Sequence, residues 1–339
     1  MRATDCAPCH AEIVAEWRTS THAAAWTDPQ FQAELAKDPG VAWLCINCHT
    51  PVADQQAALH TATAGLRSPL TTPNPTFDAA YQAEGVSCMT CHWRPEGIAA
   101  VHADVRAPHA TVYAPELRGA ETCTVCHQAV AQVEDTLACA FTTGAEWAAS
   151  GLTDTCSHCH MPRVTRSHAL GAPARDGGRH TFPGALIPKA QTYTEAERAI
   201  IGDWAPGSTL DARVENGVLH ARLTNARAGH ALPSGDPERQ LYLRLVQLPE
   251  GTVWFEERIG QTWEWWPRAR RLADNRLAVG ETRDFQVPLP TGLRPKQLEL
   301  RLDHERISAE NAAHHNLVNY PRGRTVHAIP LDGLGAAPR

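Results

Sequence analysis

The sequence predicts a chain of two unlike parts: short helices and loops packed around something other than their own side chains, then an all-β sandwich of immunoglobulin-like architecture. Three observations predict it. The pentapeptide Cys-x-x-Cys-His occurs five times before residue 161 and never afterwards. Ten of the eleven cysteines are spent on it, and twelve of the eighteen histidines precede residue 190. From about residue 208 the apolar residues adopt a two-residue period, the mark of strands with one face buried.

The five copies are Cys6-Ala-Pro-Cys9-His10, Cys45-Ile-Asn-Cys48-His49, Cys88-Met-Thr-Cys91-His92, Cys123-Thr-Val-Cys126-His127 and Cys156-Ser-His-Cys159-His160. Chance would supply roughly 0.02 copies at this composition. The pattern is the attachment site of a c-type haem. Two thiols three residues apart each add to a porphyrin vinyl group, and the adjacent histidine turns its imidazole to the iron. Zinc would explain paired cysteines but not a histidine after every second one, and disulfides within the pairs would leave five histidines idle. Residues 1–190 therefore read as a pentahaem cytochrome c domain. Its attachment residues are the ten motif cysteines, and its proximal iron ligands are His10, His49, His92, His127 and His160.

The motifs recur every 33 to 43 residues, with short helices expected between them. Asp28-Pro29 offers an N-cap and a proline at the first helical position, predicting a helix through Phe31 and Leu35. A second is expected from Phe77 to Glu84, and a third from Thr194 to Trp204 within a helical linker, residues 191–207. Such helices are marginal alone, so five haems must supply most of the apolar core, and the haem-free polypeptide is not expected to fold.

Residues 208–339 are expected to form the β-domain. Leu219, Ala221 and Leu223 alternate with polar neighbours, as do Leu241, Leu243 and Leu245, then Phe285, Val287 and Leu289, then Leu298, Leu300 and Leu302. Glu215-Asn216-Gly217-Val218 is a hairpin turn signal. Six or seven strands in this length suit an antiparallel sandwich.

A low-spin haem takes a second axial ligand, and six histidines outside the motifs are candidates: His22, His60, His102, His109, His168 and His180. His158 lies inside its own attachment loop and is poorly placed. The run from Cys6 to His10, followed by Trp17 and Ser20-Thr21-His22-Ala23, resembles the first haem segment of the tetrahaem cytochromes c that accept electrons from hydroxylamine oxidoreductase. Gly85-Val86-Ser87-Cys88-Met89-Thr90-Cys91-His92 is similar to that family's third segment. The resemblance covers roughly residues 3–130. It implies that His22 binds the third haem from across the cluster and that His102 binds the first. His109 competes for that role or serves the fourth, and the second haem can lack a distal protein ligand. A fifth motif followed by Met161-Pro162, then His168 and Arg179-His180-Thr181-Phe182-Pro183-Gly184, departs from the tetrahaem pattern, as does the β-domain. That layout is similar to larger multihaem cytochromes of the same superfamily.

In the β-domain, Gly229-His230-Ala231-Leu232-Pro233-Ser234-Gly235 is a loop held by glycines and proline, which suits His230 as a ligand presented to a haem. His304, His314, His315 and His327 read as ordinary core or surface histidines, and Met161 as packing. Trp254, Trp263, Trp265 and Trp266 are expected in core or inter-domain packing. Cys139, the unpaired cysteine, sits in an apolar setting that favours burial.

A formal charge of −6 argues against nucleic acid as a partner. Ten haem propionates take it to about −11 oxidised and −16 reduced, so partners, other redox proteins or copies of this chain, should dock through cationic or hydrophobic patches. Haem attachment of this kind occurs outside the bacterial cytoplasm, so a periplasmic or extracellular location is expected, with a leader removed or lying ahead of the called start. No run reaches the length of a membrane-spanning helix. The expected function is electron transfer through five c-type haems. The alternatives are a multihaem oxidoreductase acting on a small nitrogen or sulfur compound at one five-coordinate haem, and a subunit of a polymeric cytochrome filament. No separate catalytic motif is present.

Overall fold

The computed structural model describes residues 1–63, 65–102, 106–189, 192–265, 267–332 and 334. It divides into two compact units. The first comprises residues 1–138, 153–204 and 313–321, and the second residues 139–152, 205–312 and 322 onward. The two expected blocks thus interleave in sequence: residues 139–152, between the fourth and fifth motifs, join the second unit, and residues 313–321 return to the first.

The α-helices ahead of the β-domain are α1 (Ala3–Cys6), α2 (Ala11–Arg18), α3 (Pro29–Lys37), α4 (Ala42–His49), α5 (Ala79–Gln82), α6 (Cys88–His92), α7 (Glu121–His127), α8 (Thr143–Ser150), α9 (Cys156–His160) and α10 (Glu195–Ile201). Four motifs end a helix on their histidine, at α4, α6, α7 and α9. Residues i, i+3 and i+4 of a helix share one face, so each motif's two cysteines and histidine point the same way. The first motif straddles the turn from α1 to α2, with His10 at the N-cap of α2.

Asp28 caps α3 as its sequence predicts, accepting from the Gln30 amide at 3.3 Å. The same buried carboxylate pairs with Lys189 and accepts from the Tyr320 hydroxyl at 2.7 Å, which ties residues 313–321 into this unit. The helix expected over 77–84 shortens to α5, because the chain turns at Gly85 (φ +60°). Helix α10 starts behind a Thr194–Glu197 capping box. The polypeptide's own apolar core here is small: Ala3, Val14 and Trp17 are buried together, with Cys6, Ala7, Ala23 and Cys88 against them.

Short hairpins complete the first unit: β1 (Ala58–Thr61) with β2 (Leu70–Pro73), and β5 (Arg163–Ser167) with β6 (Ala174–Gly178). Between them β3 (Gly97–Ala100) pairs in parallel with β4 (Thr111–Tyr113).

The second unit is built on eight strands: β7 (Ser208–Glu215), β8 (Val218–Asn225), β9 (Gln240–Gln247), β10 (Val253–Glu264), β11 (Arg270–Asp274), β12 (Thr282–Pro288), β13 (Leu298–Glu305) and β14 (Gly323–Pro330). They form two antiparallel sheets, ordered β7-β8-β12 and β11-β10-β9-β13-β14. Asn216 and Gly217, both at positive φ, make the two-residue turn that sets Glu215 opposite Val218. The alternating leucines of both sheets enter one core. Leu219, Leu223, Leu243, Leu245, Leu300 and Leu302 have no exposed surface, each burial contributing about 1.5–3 kcal/mol. Strand β11 escapes the sequence reading because all its residues are exposed, leaving no alternation. The tryptophans correct their expectation. Trp254 is 51% exposed and Trp265 46%, with Trp263 stacked on Trp265 at 5.3 Å, since an indole rests on a sheet surface while its N–H stays solvated or bonded. Trp266 lies outside the described residues.

Candidate haem-binding site

The proximal histidines are oriented by main-chain carbonyls. Nδ1 of His10 lies 2.7 Å from the carbonyl of His168, that of His49 2.8 Å from Ala25, that of His92 2.7 Å from Ala99, and that of His160 2.6 Å from Pro183. A ring that donates from Nδ1 is held in one tautomer with Nε2 as its lone-pair nitrogen, the arrangement that second-shell carbonyls impose on metal-binding imidazoles. Phe31 stacks flat on His49 at 3.7 Å. Trp204, whose Nε1 donates to the Gly184 carbonyl at 3.0 Å, packs beside His160.

Two more rings face proximal ones. His22 and His127 have centroids 6.2 Å apart, and so have His92 and His180. Two imidazoles on opposite faces of one iron, with metal–nitrogen bonds of about 2 Å, have centres about 6 Å apart, so both pairs fit an iron between them. Burial holds His22 down at about 3, reinforced by the nearby His127, His160 and His49. Burial likewise lowers His180 to about 4, with His92 adding to it. Both rings stay neutral, as an iron ligand must be. The rings that lie nearest differ from those the resemblance implied: His180, from the segment after the fifth motif, faces His92, and His22 faces His127.

That segment serves several motifs at once. Phe182, in left-handed backbone (φ +42°), packs edge-on against His22 at 4.6 Å and against His180 at 5.8 Å, and the next carbonyl is the one that orients His160. Its start is held by Glu16, a buried carboxylate on α2. Arg166 donates to Glu16 through both terminal nitrogens at 2.8 and 2.7 Å, Arg179 through Nε at 2.9 Å, and the His180 amide at 2.9 Å. Burial alone would raise the Glu16 carboxyl, but the bonds from Arg166, His180 and Arg179 outweigh it and hold it below the usual range.

Gly85 lets the two family-like segments meet. A Cβ at this residue would lie 2.7 Å from the His22 carbonyl. Instead the Val86 amide donates to that carbonyl at 3.0 Å and Trp17 Nε1 to the Val86 carbonyl at 2.8 Å. Thiols of different motifs also adjoin. Cys6 and Cys88 shift each other's titration, as do Cys48 and Cys126, and Cys123 and Cys156, while Cys91 acts electrostatically on Cys123 and Cys126. With thiols of different motifs near enough to act on one another and carbonyl-oriented imidazoles among them, the residues fit haem.

The other candidates fare differently. The expectation that the His168 ring is a distal ligand is corrected: its Nε2 lies 3.1 Å from the Arg175 carbonyl, held in the turn between β5 and β6, and it is the residue's own carbonyl that serves His10. His60 Nδ1 pairs with the Thr71 hydroxyl at 3.1 Å. His102 is exposed, and His109 lies before β4 with Nδ1 3.2 Å from the Ala110 carbonyl. In the second unit His230 Nδ1 lies 2.8 Å from the Ala231 carbonyl. Ser234 of the same loop donates to Glu146 on α8 at 2.7 Å. Met161 packs on Gly178. His315 pairs with Glu34, and His327 with Ser208. Sequence reading missed Glu16, Arg166, Phe182 and the four carbonyls. A carbonyl leaves no trace in residue identity, and a lone Glu on a helix reads as solvated.

Comparison with known proteins points to the same class of protein. Residues 5–93 match the family described as cytochrome c554 and c-prime. The chain has a multihaem cytochrome fold. It resembles the crystal structure of a penta-heme cytochrome c552 from Thermochromatium tepidum, with a TM-score of 0.63 and 18% identity over 97% of each chain. No curated protein matches. Together these findings support c-type haem and electron transfer as the class of chemistry. Among the described residues no helix is long and apolar enough to cross a membrane.

Proposed function

We propose that this chain transfers electrons through five covalently bound c-type haems in the periplasm or outside the cell, exchanging them with other redox proteins or with its own copies. The observation that carries this reading is the pair of facing imidazoles, His22 with His127 and His92 with His180, each 6.2 Å apart, set among proximal rings oriented by carbonyls. Each haem, when attached, supplies a one-electron iron couple whose potential the protein tunes through ligands, burial and hydrogen bonds.

The residues have separable roles. The ten motif cysteines tether the haems and the five motif histidines ligate them from one side. His22 supplies the second ligand at the fourth motif and His180 at the third. His60, His102, His109 and His230 are the remaining distal candidates, His230 on a loop of the β-domain, which we read as an immunoglobulin-like sandwich. Thiol contacts set the neighbour order, first motif by third, second by fourth and fourth by fifth, with Cys91 of the third acting on the fourth. The fourth motif is thus a junction, adjoining three others. Disulfides across these contacts would be the rival use of the sulfurs, and would leave Cys9, Cys45, Cys91 and Cys159 without work.

The deciding measurement is the mass of the denatured protein purified from a host able to attach haem. Five haems add about 3 kDa and survive acid–acetone extraction. A mass without that increment overturns the proposal.

A further inference from the structure

We propose that Glu16 is a positioning residue for His180, holding this histidine's main chain and placing a fixed negative charge that sets the potential of the iron which His180 faces. The inference rests on the ligand reading above and goes beyond it. Glu16 lies on the helix that follows the first motif, remote in sequence from the third and fifth. Its two oxygens collect four donors, two from Arg166, one from Arg179 and the His180 amide. The amide bond acts one residue away from nothing: it is the ligand's own peptide group that is clamped. Arg166 is itself steadied by Glu12 at 3.0 Å, and Arg179 also donates to the Ile200 carbonyl at the end of α10.

An ionised carboxylate in a place this buried is costly unless fully bonded. A plain join between α2 and the β5–β6 hairpin needs only Arg166, whereas here the third and fourth donors both come from the ligand segment. A buried charge beside a redox centre is felt strongly, because the local dielectric is low. The Glu16 charge offsets the guanidiniums of Arg166 and Arg179, and removing it leaves that positive charge less compensated, which favours taking up an electron.

The test uses the haem-loaded full chain. Electron paramagnetic resonance followed through a potentiometric titration resolves low-spin haems by their g-values and gives each a midpoint. His180→Ala marks the relevant signal by converting it to high spin. Glu16→Gln should raise the midpoint of that same signal and leave the others in place. Glu16→Asp keeps the charge but stops one methylene short of the His180 amide. It should move the g-values of the marked signal while its midpoint stays near the parent value, and it carries the test if Glu16→Gln fails to mature.

A marked signal unchanged in both variants, or an equal shift in every signal, overturns the proposal, the second because it signals general loosening. If His180→Ala creates no high-spin iron, the ligand reading falls and this inference with it. That result is distinct from a marked signal that ignores Glu16.

Discussion

A histidine becomes a ligand through what holds its other nitrogen and its backbone, and His22 illustrates this. The turn that carries it is fastened by the Val86 amide and made possible by the missing side chain at Gly85, while burial keeps its ring neutral. On the proposed pairing, His22→Ala should turn one low-spin haem high-spin, and that haem should be the one attached at Cys123 and Cys126. Paramagnetic resonance of the variant, beside His127→Ala, checks it: the two changes should remove the same low-spin signal, and removal of different signals would contradict the pairing. The motif cysteines and proximal histidines were legible in sequence because covalent chemistry dictates their spacing. His22 and His180 were legible as candidates, but which proximal ring each faces was not, since contact with a distant segment obeys no local period.

At the scale of elements, helix α8 shows how a short piece can lie in sequence between two haem motifs and yet belong to the β-domain's fabric. Its Glu146 accepts from Ser234 and Thr142, each at 2.7 Å, and pairs with Arg276 at 2.6 Å. Burial pushes the Glu146 carboxyl up, but those bonds and the Arg276 charge outweigh it, so it ends below its ordinary value of 4.5. The folded state thus binds this proton less readily than the unfolded chain. The stabilisation is complete above about pH 4.5 and fades as the pH falls through the lower folded value. Glu146→Gln should cost the second unit about 3 kcal/mol at pH 7, and less in acid. Urea unfolding followed by far-ultraviolet circular dichroism at pH 7 and pH 4 checks it, and an equal loss at both would refute the assignment. Alternating leucines made most strands readable in advance. Strand β11, exposed along its length, and α8's allegiance were unreadable, because neither rests on a periodic apolar face.

Across the whole molecule the two units differ in what holds them. The second owns a continuous core of leucines from both sheets. In the first, the contiguous apolar cluster among the described residues is only Ala3, Val14 and Trp17, and Val125, inside the fourth motif, is 75% exposed. Full-length protein made in a host that cannot attach haem should therefore be cut rapidly by protease within residues 1–138, while a fragment from about residue 205 to 312 persists. The haem-loaded protein should resist in both regions. Equal resistance of residues 1–138 without haem would mean that the polypeptide packs alone. That division was foreseeable from the motifs, because helices as short as those between them exclude little water on their own.

The stretch from Arg179 to Gly184 also has a temporal meaning. A chain exported from its N-terminus acquires Cys88, Cys91 and His92 early, yet on the proposed pairing the partner of His92 arrives only with residue 180, and the carbonyl that orients His160 only with residue 183. Until then the third iron would stand with one face open. On that pairing, closure of the cluster would wait until the last motif has passed, and a chain truncated after its fifth motif would carry every attachment site and still be unfinished.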